Sequence, residues 1–372
     1  MSLLLNLAMS KRAFPLLRKA LYINNWGDAE KVHEAAKGIL NRMSEDLAEI
    51  GNYFDSSGLE FKLKNIEFKH PFGTAAGFDK DCEILEPLSH IFGYQTPGTI
   101  VLNIRAGNQK PRLKSDTRRG VIYNAQGFPS RGLEFSKERL RGYQDKFAMQ
   151  DKVPIIASFC GLPQEGNLQE ALMESNLLIN GLAPHVQGLE WNPASPNTAT
   201  LKQLRTPEVF KRVCGGMMRY STDERLTFVK FPPYSTSEEI DQTFELISVV
   251  QQEGIDGIVL TNTRKISYPD FPFGTAGESG KPLSYSRKKA VRDVAREFPP
   301  LIIKASGGYW TAQDIIDDMP YVTLFDGFTV YTQRGPGAVK DFIGAAKYLL
   351  DKGGFTSYQS FLDKRNKTLS IR

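Results

Sequence analysis

Cysteine and histidine are scarce in this sequence, and their scarcity excludes several kinds of site. The chain of 372 residues contains three cysteines, Cys82, Cys160 and Cys214, and four histidines. Three widely spaced thiols form neither a disulfide framework nor a paired CxxC zinc site, so a reducing compartment is expected. The histidines are scattered along the chain as well, and we expect no metal centre.

Long apolar runs and a strong excess of one charge are also missing. The opening stretch MSLLLNLAMSKRAFPLLRKAL is too short and too interrupted for a transmembrane span, and it lacks the apolar core and cleavage site of a signal peptide. The formal net charge is +5, from 47 Lys and Arg against 42 Asp and Glu. This mild balance, with no RNA- or DNA-binding signature, argues against a nucleic-acid partner.

Residues 1–57 have the pattern of a small helical segment. Apolar residues recur at helical spacing from Ala13 to Leu21, with basic residues between them, and a second helical run begins at Asp28, which is a suitable N-cap. Two amphipathic helices of this kind are either an ordinary packed hairpin or a surface that lies against a membrane. The residue pattern leaves both interpretations open.

Residues 58–372 alternate short strands with helices. LEFKLKNIEFKHP has the alternation of a β-hairpin. Eight candidate barrel strands follow, at Thr74–Ala76, Thr99–Leu102, Val153–Phe159, Gly188–Trp191, Thr227–Lys230, Gly257–Leu260, Leu301–Ala305 and Gly327–Val330. Such alternation predicts a parallel sheet, and eight strands fit a closed (β/α)8 TIM barrel. An open doubly wound sheet is the alternative, although the pattern GxGxxG is absent after the first strand.

Polar and glycine-rich residues gather where these strands end. The strand-end stretches are AAGFDK, ASFCG, NPASPNT, KFPP, TNT, SGG and YT. In a barrel the carboxyl ends of the strands form one mouth, and active sites lie there. We therefore expect the functional site at this mouth.

Two lysines and a glycine pair at these ends have chemistry of their own. Gly307 and Gly308 allow backbone N–H groups to approach a phosphate. Lys230 is suited to stabilise negative charge on an electron-rich cofactor, unless it is a rim lysine in a salt bridge. Lys80 is suited to bind a carboxylate, unless it is solvent-exposed beside its acidic neighbours.

Amide side chains dominate the predicted mouth. They belong to Asn124, Asn192, Asn197 and Asn262. Each amide offers a donor and an acceptor, so it matches the imide edge of a pyrimidine, although any single asparagine can merely cap a turn. Ser195 stands between two prolines and two of these asparagines.

The motifs AAGFDKD, GNQKPRL, NAQGF, NPASPNT, TNT, SGKPL, SGG and VYT occur in this order. Together they resemble the dihydroorotate dehydrogenases over about residues 60–350. These enzymes are FMN-containing barrels that oxidise dihydroorotate to orotate in pyrimidine biosynthesis. Class 1 members carry N-x-x-C-P-N and class 2 members N-x-x-S-P-N-T, so Ser195 indicates class 2, the quinone-reducing branch.

The resemblance implies a role for each site residue. Ser195 is expected to be the catalytic base, Thr198 its proton relay and Phe128 its shield. The implied FMN contacts are Ala75, Ala76, Gly77, Thr99, Asn124, Asn192, Lys230, Thr261, Gly280, Gly307, Gly308, Tyr331 and Thr332. The implied substrate contacts are Lys80, Asn124, Gln126, Gly127, Phe128, Asn192, Asn197, Asn262 and Thr263.

The resemblance also implies that the N-terminal helices admit a quinone and bind a membrane surface peripherally. The expected location is the cytoplasmic face of a bacterial inner membrane, or otherwise the cytoplasm. Ser158, Gln126 and Ser115 depart from the usual residues of the class. Two alternatives therefore remain: another FMN barrel that acts on pyrimidines, and a flavin-binding homologue that has lost activity.

Overall fold

A ring of parallel strands forms the centre of the molecule. The computed structural model describes residues 10, 12–44, 47–48, 54–146, 152–163, 167–299 and 301–370. In chain order its strands are β1 (Phe61–Leu63), β2 (Ile66–Phe68), β3 (Phe72–Thr74), β4 (Leu113–Asp116), β5 (Val121–Asn124), β6 (Ile156–Phe159), β7 (Gly188–Trp191), β8 (Leu226–Phe231), β9 (Gly257–Leu260), β10 (Arg264–Ser267), β11 (Thr275–Gly280), β12 (Ile302–Ser306) and β13 (Leu324–Gly327). A seven-stranded parallel sheet has the order β3-β13-β12-β9-β8-β7-β6.

An extended segment, residues 94–100, joins the two edges of this sheet. Its isolated parallel bridges are Gly73–Tyr94, Gln95–Ile155 and Ile100–Phe159. The segment is the second of the eight ring positions in chain order and closes the ring, so the predicted (β/α)8 barrel is confirmed and the open sheet is wrong. The predicted strand Thr99–Leu102 contains the bridge at Ile100, but its predicted start is wrong, because pairing begins at Tyr94. Pro97 has no N–H group, which prevents a continuous ladder there.

Helices surround the ring on its outer side. In chain order they are α1 (Phe14–Asn24), α2 (Ala29–Arg42), α3 (Leu85–Ser89), α4 (Leu133–Lys146), α5 (Leu168–Leu182), α6 (Pro207–Met218), α7 (Ser237–Gln252), α8 (Ser284–Glu297), α9 (Ala312–Asp318), α10 (Thr329–Arg334), α11 (Gly337–Gly353) and α12 (Tyr358–Ser370). Helices α7 and α9 each begin at a capping box, Thr236 with Glu239 and Thr311 with Asp314. The apolar core lies between the helices and the strands.

The last strand of the ring ends earlier than its residue pattern predicts. Gly327–Val330 was the predicted strand, but β13 ends at Gly327 and Thr329 begins α10. The run FTVYT consists of residues with high strand propensity. Tertiary contacts override that propensity here, because the helix packs against α11 and α1. Tyr331 and Thr332 are therefore helical residues, not strand-end residues.

A second, antiparallel sheet covers one side of the barrel mouth. It has the order β10-β11-β5-β4 and is built from the two insertions that follow the second and sixth positions of the ring. The sequence patterns described above did not predict this sheet. The hairpin of β1 and β2 confirms the alternation read in LEFKLKNIEFKHP.

The N-terminal helices pack beside the same mouth. The Asp28 side chain accepts hydrogen bonds from the backbone N–H groups of Glu30 and Lys31, which confirms the predicted N-cap. The C-terminal part of the predicted second run includes residues 45–46 and 49–50, which lie outside the described residues. Within the described part of the chain, no helix combines the length and apolar character that a membrane crossing requires.

Candidate active site

A polar cleft of about 1070 Å³ opens at the carboxyl ends of the strands. It brings together most of the site residues named from the sequence. They are Ala75, Ala76, Gly77, Lys80, Thr99, Asn124, Gln126, Gly127, Phe128, Asn192, Ser195, Asn197, Lys230, Thr261, Asn262, Thr263, Gly280, Gly307 and Gly308. Thr198, Tyr331 and Thr332 do not line it.

Hydrogen bonds between side chains link the amides of the cleft. Asn262 Nδ2 donates to Asn192 Oδ1 at 3.0 Å, and Asn192 Nδ2 donates to Thr99 Oγ1 at 2.7 Å. On the opposite wall, Asn197 Nδ2 donates to Asn124 Oδ1 at 2.6 Å. These bonds fix which amide edges face the cleft, so a planar heterocycle meets donors and acceptors that are already oriented.

Ser195 lies on the loop between β7 and α6. Its Oγ accepts a hydrogen bond from the backbone N–H of Asn197 at 3.4 Å. Thr198 faces a groove on the other side of this loop, and its Oγ1 is buried without a hydrogen-bond partner among the described residues. The loop thus separates the cleft from a second groove, with one hydroxyl on each side.

Phe128 is held at the cleft wall at a conformational cost. Its φ is +56°, which is rare for a bulky side chain, and Gly127 before it has a φ of +64°. The loop is tied to AAGFDKD, because Asp81 Oδ1 accepts hydrogen bonds from Ser130 Oγ and from the backbone N–H of Arg131. Such local strain is typical of functional loops.

Lys80 is partly buried and points into the cleft. Burial lowers its pKa to about 8, against the charge of Glu30, which favours the ammonium form. Glu30 belongs to α2 and accepts hydrogen bonds from Arg112 Nε at 2.9 Å and Gln126 Nε2 at 3.4 Å. The solvent-exposed interpretation of Lys80 is wrong, and the unusual Gln126 joins the cleft to an N-terminal helix.

Lys230 is 4% exposed, so it is not a rim residue. Its Nζ lies 3.7 Å from Glu190 Oε1 inside the ring, and the side chain also lines the cleft. Ser158 lies next to this pair, 3.1 Å from Thr99 Oγ1 between the two hydroxyl oxygens. Although Ser158 departs from the usual residue of the class, its hydroxyl still contacts the polar side chains at the base of the cleft.

The loop after β12 approaches the N-terminus of α8 closely. Gly308 has a φ of +77°, and a Cβ atom there would lie 2.5 Å from the backbone nitrogen of Ser284. The buried Arg287 donates to the Gly307 carbonyl oxygen at 3.0 Å and to Asp318 at 2.7 Å. Arg287 was not predicted as a site residue, although a charged residue on the buried face of α8 could have indicated it.

Tyr331 and Thr332 line a different cavity. Phe328 and Thr329, three residues earlier, take the positions at the end of β13 and line the cleft. Thr329 Oγ1 lies 2.9 Å from Ser279 Oγ, which donates to the Ile122 carbonyl oxygen. The last strand of the ring therefore ends at Gly327, three residues earlier in the chain than the predicted end at Val330.

The second cavity is apolar, with about 1440 Å³ of empty space between the N-terminal helices and the barrel. Arg18 of α1 is its main polar feature: the guanidinium donates to Ser115 Oγ at 2.7 Å and to the Thr332 carbonyl oxygen at 3.1 Å. His33 of α2 also lines it, and burial lowers its pKa to about 3, with the charges of Lys80 and Lys37 acting in the same direction. His33 is therefore neutral at ordinary pH.

Leu113, Ile122 and Phe328 line both cavities. The polar cleft and the apolar cavity are therefore separated by a wall one side chain thick. This arrangement places two chemically different compartments on either side of one wall.

Residues 58–343 match the family model of dihydroorotate dehydrogenase. The chain belongs to this family. The dihydroorotate dehydrogenase (quinone) of Christiangramia forsetii is 28% identical over 307 residues, which cover 79% of this chain and 85% of that protein. The mitochondrial dihydroorotate dehydrogenase (quinone) of Mus musculus is 28% identical over 345 residues, covering 89% and 85% of the two chains.

Solved dihydroorotate dehydrogenases have the same fold. The structure of the Eimeria tenella enzyme in complex with ferulenol superposes with a TM-score of 0.75 at 23% identity, covering 89% of this chain and 94% of that one. The ligand-free form of the Eimeria tenella enzyme gives a TM-score of 0.72 at 24% identity, covering 85% and 95%.

Dihydroorotate dehydrogenases depend on a flavin, and the cleft of this family member fits one. Gly307 and Gly308 line the cleft with positive φ values, +88° and +77°, next to the N-terminus of a helix of 14 residues, and we call this pair the glycine cradle. Thr261 Oγ1 is buried at the cleft without a hydrogen-bond partner among the described residues. The glycine cradle would hold a phosphate of the flavin, and Thr261 and Lys230 would hold its ring system.

Proposed function

We propose that this protein oxidises (S)-dihydroorotate to orotate with bound FMN and passes the electrons to a quinone, as a step of pyrimidine nucleotide biosynthesis. The adjacency of the polar cleft and the apolar cavity, across Leu113, Ile122 and Phe328, is the observation that supports this most strongly. A water-soluble carboxylate and a lipid-soluble quinone need separate compartments, and both must reach one redox group. The wall between the cavities provides that arrangement.

Lys80 and the amides hold the substrate in this proposal. The ammonium group of Lys80 pairs with the carboxylate of dihydroorotate, and Asn197, Asn124 and Asn262 bind the ring edges. Because the hydrogen bonds between these amide side chains are already formed, the side chains lose little orientational freedom when the substrate binds. Phe128 covers the ring and excludes water from the reacting carbons.

Ser195 acts as the general base. A bound flavin would supply the redox chemistry, which is acceptance of a hydride from C6 and transfer of two electrons to the quinone. Ser195 Oγ accepts the proton from C5 while the C5–C6 double bond of orotate forms. The hydroxyl passes its own proton toward Thr198 and the groove behind the loop. The quinone takes up two protons with the two electrons and leaves as quinol.

The quinone enters between α1 and α2. Its ring and tail match the apolar walls of the second cavity, and the Arg18 guanidinium is positioned to donate to a quinone carbonyl oxygen. Leu16, Ile23 and Trp26 are 68%, 68% and 92% exposed on or beside α1. With the exposed Arg12 and Lys19, they form a surface suited to peripheral binding of an anionic membrane.

The direct test is an assay of the purified protein. Flavin released by denaturation should be FMN by chromatography, and the protein should convert dihydroorotate to orotate with a short-chain ubiquinone. Dihydrouracil should not replace dihydroorotate, since it carries no carboxylate for Lys80. Oxidation of dihydrouracil in preference to dihydroorotate would contradict the substrate assignment.

Gly308→Val is expected to abolish FMN retention. A Cβ at this position meets the backbone of Ser284 and Leu283, where no flexible side chain can move aside. Gly274→Val is the matched control, because Gly274 also has a positive φ, +62°, but nothing lies within 4 Å of its Cβ position. The flavin-to-protein ratio after gel filtration measures both. Equal flavin content in the two variants would contradict the phosphate assignment.

Arg18→Leu is expected to raise the KM for quinone roughly 10- to 100-fold, since a hydrogen bond to a charged group is worth about 1.5–3 kcal/mol. Reduction of the bound flavin by dihydroorotate should be unchanged, because Arg18 lies in the apolar cavity. Lys19→Leu, on the exposed side of the same helix, is the control. Steady-state kinetics against quinone concentration gives KM, and an equal loss in the half-reaction with dihydroorotate would contradict this role.

A further inference from the structure

Four charged side chains meet inside the barrel, below the polar cleft. Glu190 of β7, Lys230 of β8, Lys304 of β12 and Asp326 of β13 form this buried ion network. Lys304 Nζ lies 2.6 Å from Glu190 Oε2 and 3.0 Å from Asp326 Oδ2, and Lys230 Nζ lies 3.7 Å from Glu190 Oε1. Each of the four residues is at most 4% exposed.

Stability does not account for this network. Barrel interiors are usually filled by branched apolar side chains. Taking charges out of water is costly, and replacing buried ion pairs by apolar residues is often neutral or stabilising. Two acids and two bases give the network no net formal charge, which is the arrangement that makes burial tolerable.

The charges within the network favour the ionised forms of Lys304 and Glu190. Burial alone would lower the pKa of Lys304, but the charges of Asp326 and Glu190 outweigh it and raise that pKa. Burial alone would raise the pKa of Glu190, but Lys304 and Lys230 outweigh it and lower that pKa. Burial raises the pKa of Asp326, against the charge of Lys304. Asp326 Oδ1 accepts a hydrogen bond from Tyr94 Oη at 2.7 Å, and Asp326 Oδ2 forms an ion pair with Lys304 Nζ at 3.0 Å.

The network reaches the cleft through two of its members. Lys230 and Asp326 line the cleft, whereas Glu190 and Lys304 are fully buried behind them. Lys304 Nζ also donates to Thr96 Oγ1 at 2.8 Å, in the segment that closes the barrel. The charges are thus held in fixed positions, and in a medium of low dielectric they act strongly on any charge that develops nearby.

We propose that Glu190 and Lys304 are positioning residues that set the reduction potential of the flavin, by fixing Lys230 and Asp326 and the net charge at the base of the cleft. This inference rests on the proposed function, because it requires a flavin in the cleft. Reduction adds negative charge to the ring system, so a positive network favours the reduced form and a negative network disfavours it. The wild-type network is neutral, and single substitutions shift its charge in opposite directions.

The test uses Glu190→Gln, Lys304→Gln and the double variant, all as flavin-loaded full-length protein. Glu190→Gln leaves a net charge of +1, and Lys304→Gln leaves −1. We expect the midpoint potential to rise in the first and fall in the second, each by the equivalent of about a tenfold change in the equilibrium constant, or about 30 mV for a two-electron couple. The double variant restores neutrality and should return near the wild-type potential.

A dissociation constant provides an independent readout. Sulfite adds to oxidised flavins and places negative charge on them, so its affinity should increase about tenfold in Glu190→Gln and decrease about tenfold in Lys304→Gln. If Glu190→Gln does not fold, Asp326→Asn gives the same +1 charge and should shift both measurements in the same direction. Shifts of the same sign in the two single variants, or no shift in either, would overturn the inference.

The failure of this inference is distinguishable from the failure of the proposed function. Wild-type protein that holds no flavin, or whose flavin dihydroorotate does not reduce, would contradict the proposed function. Wild-type protein that is reduced normally, with variants whose potentials match it, would contradict the inference alone.

Discussion

Ser195→Ala should reduce the rate of flavin reduction by dihydroorotate ~10²–10⁴-fold, which is the usual effect of removing a general base. This corresponds to roughly 3–5 kcal/mol of activation barrier. FMN content and dihydroorotate affinity should stay close to wild type, because Lys80 and the amides hold the substrate and no part of the glycine cradle changes. Single-turnover stopped-flow absorbance under anaerobic conditions separates the rate from the affinity.

Ser195→Cys is the matched variant for this experiment. A thiol ionises more readily than a hydroxyl, so the cysteine variant should recover part of the rate. Its rate should also reach a plateau at lower pH than the wild-type rate, which should keep rising into the alkaline range. If the alanine variant reduces flavin within a few-fold of wild type, Ser195 is structural and the proton leaves by another group.

Lys80→Met should weaken orotate binding roughly 10²–10⁴-fold, because a carboxylate left unpaired in a buried site costs about 3–5 kcal/mol. The side chain of methionine retains the length of the apolar stem, so the shape of the cleft changes little. Titration of the flavin absorbance with orotate measures the dissociation constant. An affinity within threefold of wild type would show that the carboxylate binds elsewhere.

The pH dependence of orotate affinity follows from the same residue. The pKa of Lys80 is lowered to about 8 in the free protein, so the amine is charged below pH 8 and progressively neutral above it. Orotate affinity should be flat below pH 8 and fall by up to tenfold per pH unit above it, until the complex itself titrates. In Lys80→Met this decline should disappear. Affinity and flavin reduction rate thus move in opposite directions as pH rises.

The sequence predicted the barrel because its strands are regular. Gly188–Trp191 and Gly257–Leu260 have the predicted bounds, since each is an apolar run between clear breaks. The second position of the ring, residues 94–100, could not be read in the same way. Tyr94 and Gln95 pair before Pro97, and Ile100 forms an isolated bridge after it.

The cleft residues were largely predictable because the barrel brings all strand ends together. Tyr331 and Thr332 were expected at a strand end, but β13 stops at Gly327 and both residues belong to α10. The Tyr331 ring packs so closely on Gly327 that a Cβ atom at that position would collide with it. That close approach depends on α10, which residue propensities do not indicate. The roles assigned to individual residues in binding remain predictions.

The buried ion network had a visible signal. Glu190 and Lys304 are charges within otherwise apolar strand runs, GLEW and LIIKAS. Only Lys230 was singled out, because it stood at a strand end. Which charges would meet depends on strand order around the ring, and that order is a property of the closed fold.

Sequential-mixing stopped flow on the wild-type protein tests the central claim most directly. The oxidised protein is first mixed anaerobically with dihydroorotate, and flavin absorbance near 450 nm is expected to bleach, as it does for reduced flavins generally. A second mixing with a short-chain ubiquinone should restore the absorbance, whereas fumarate or NAD⁺ should not. Failure of dihydroorotate to bleach the flavin, or reoxidation by fumarate or NAD⁺ faster than by quinone, would contradict the account.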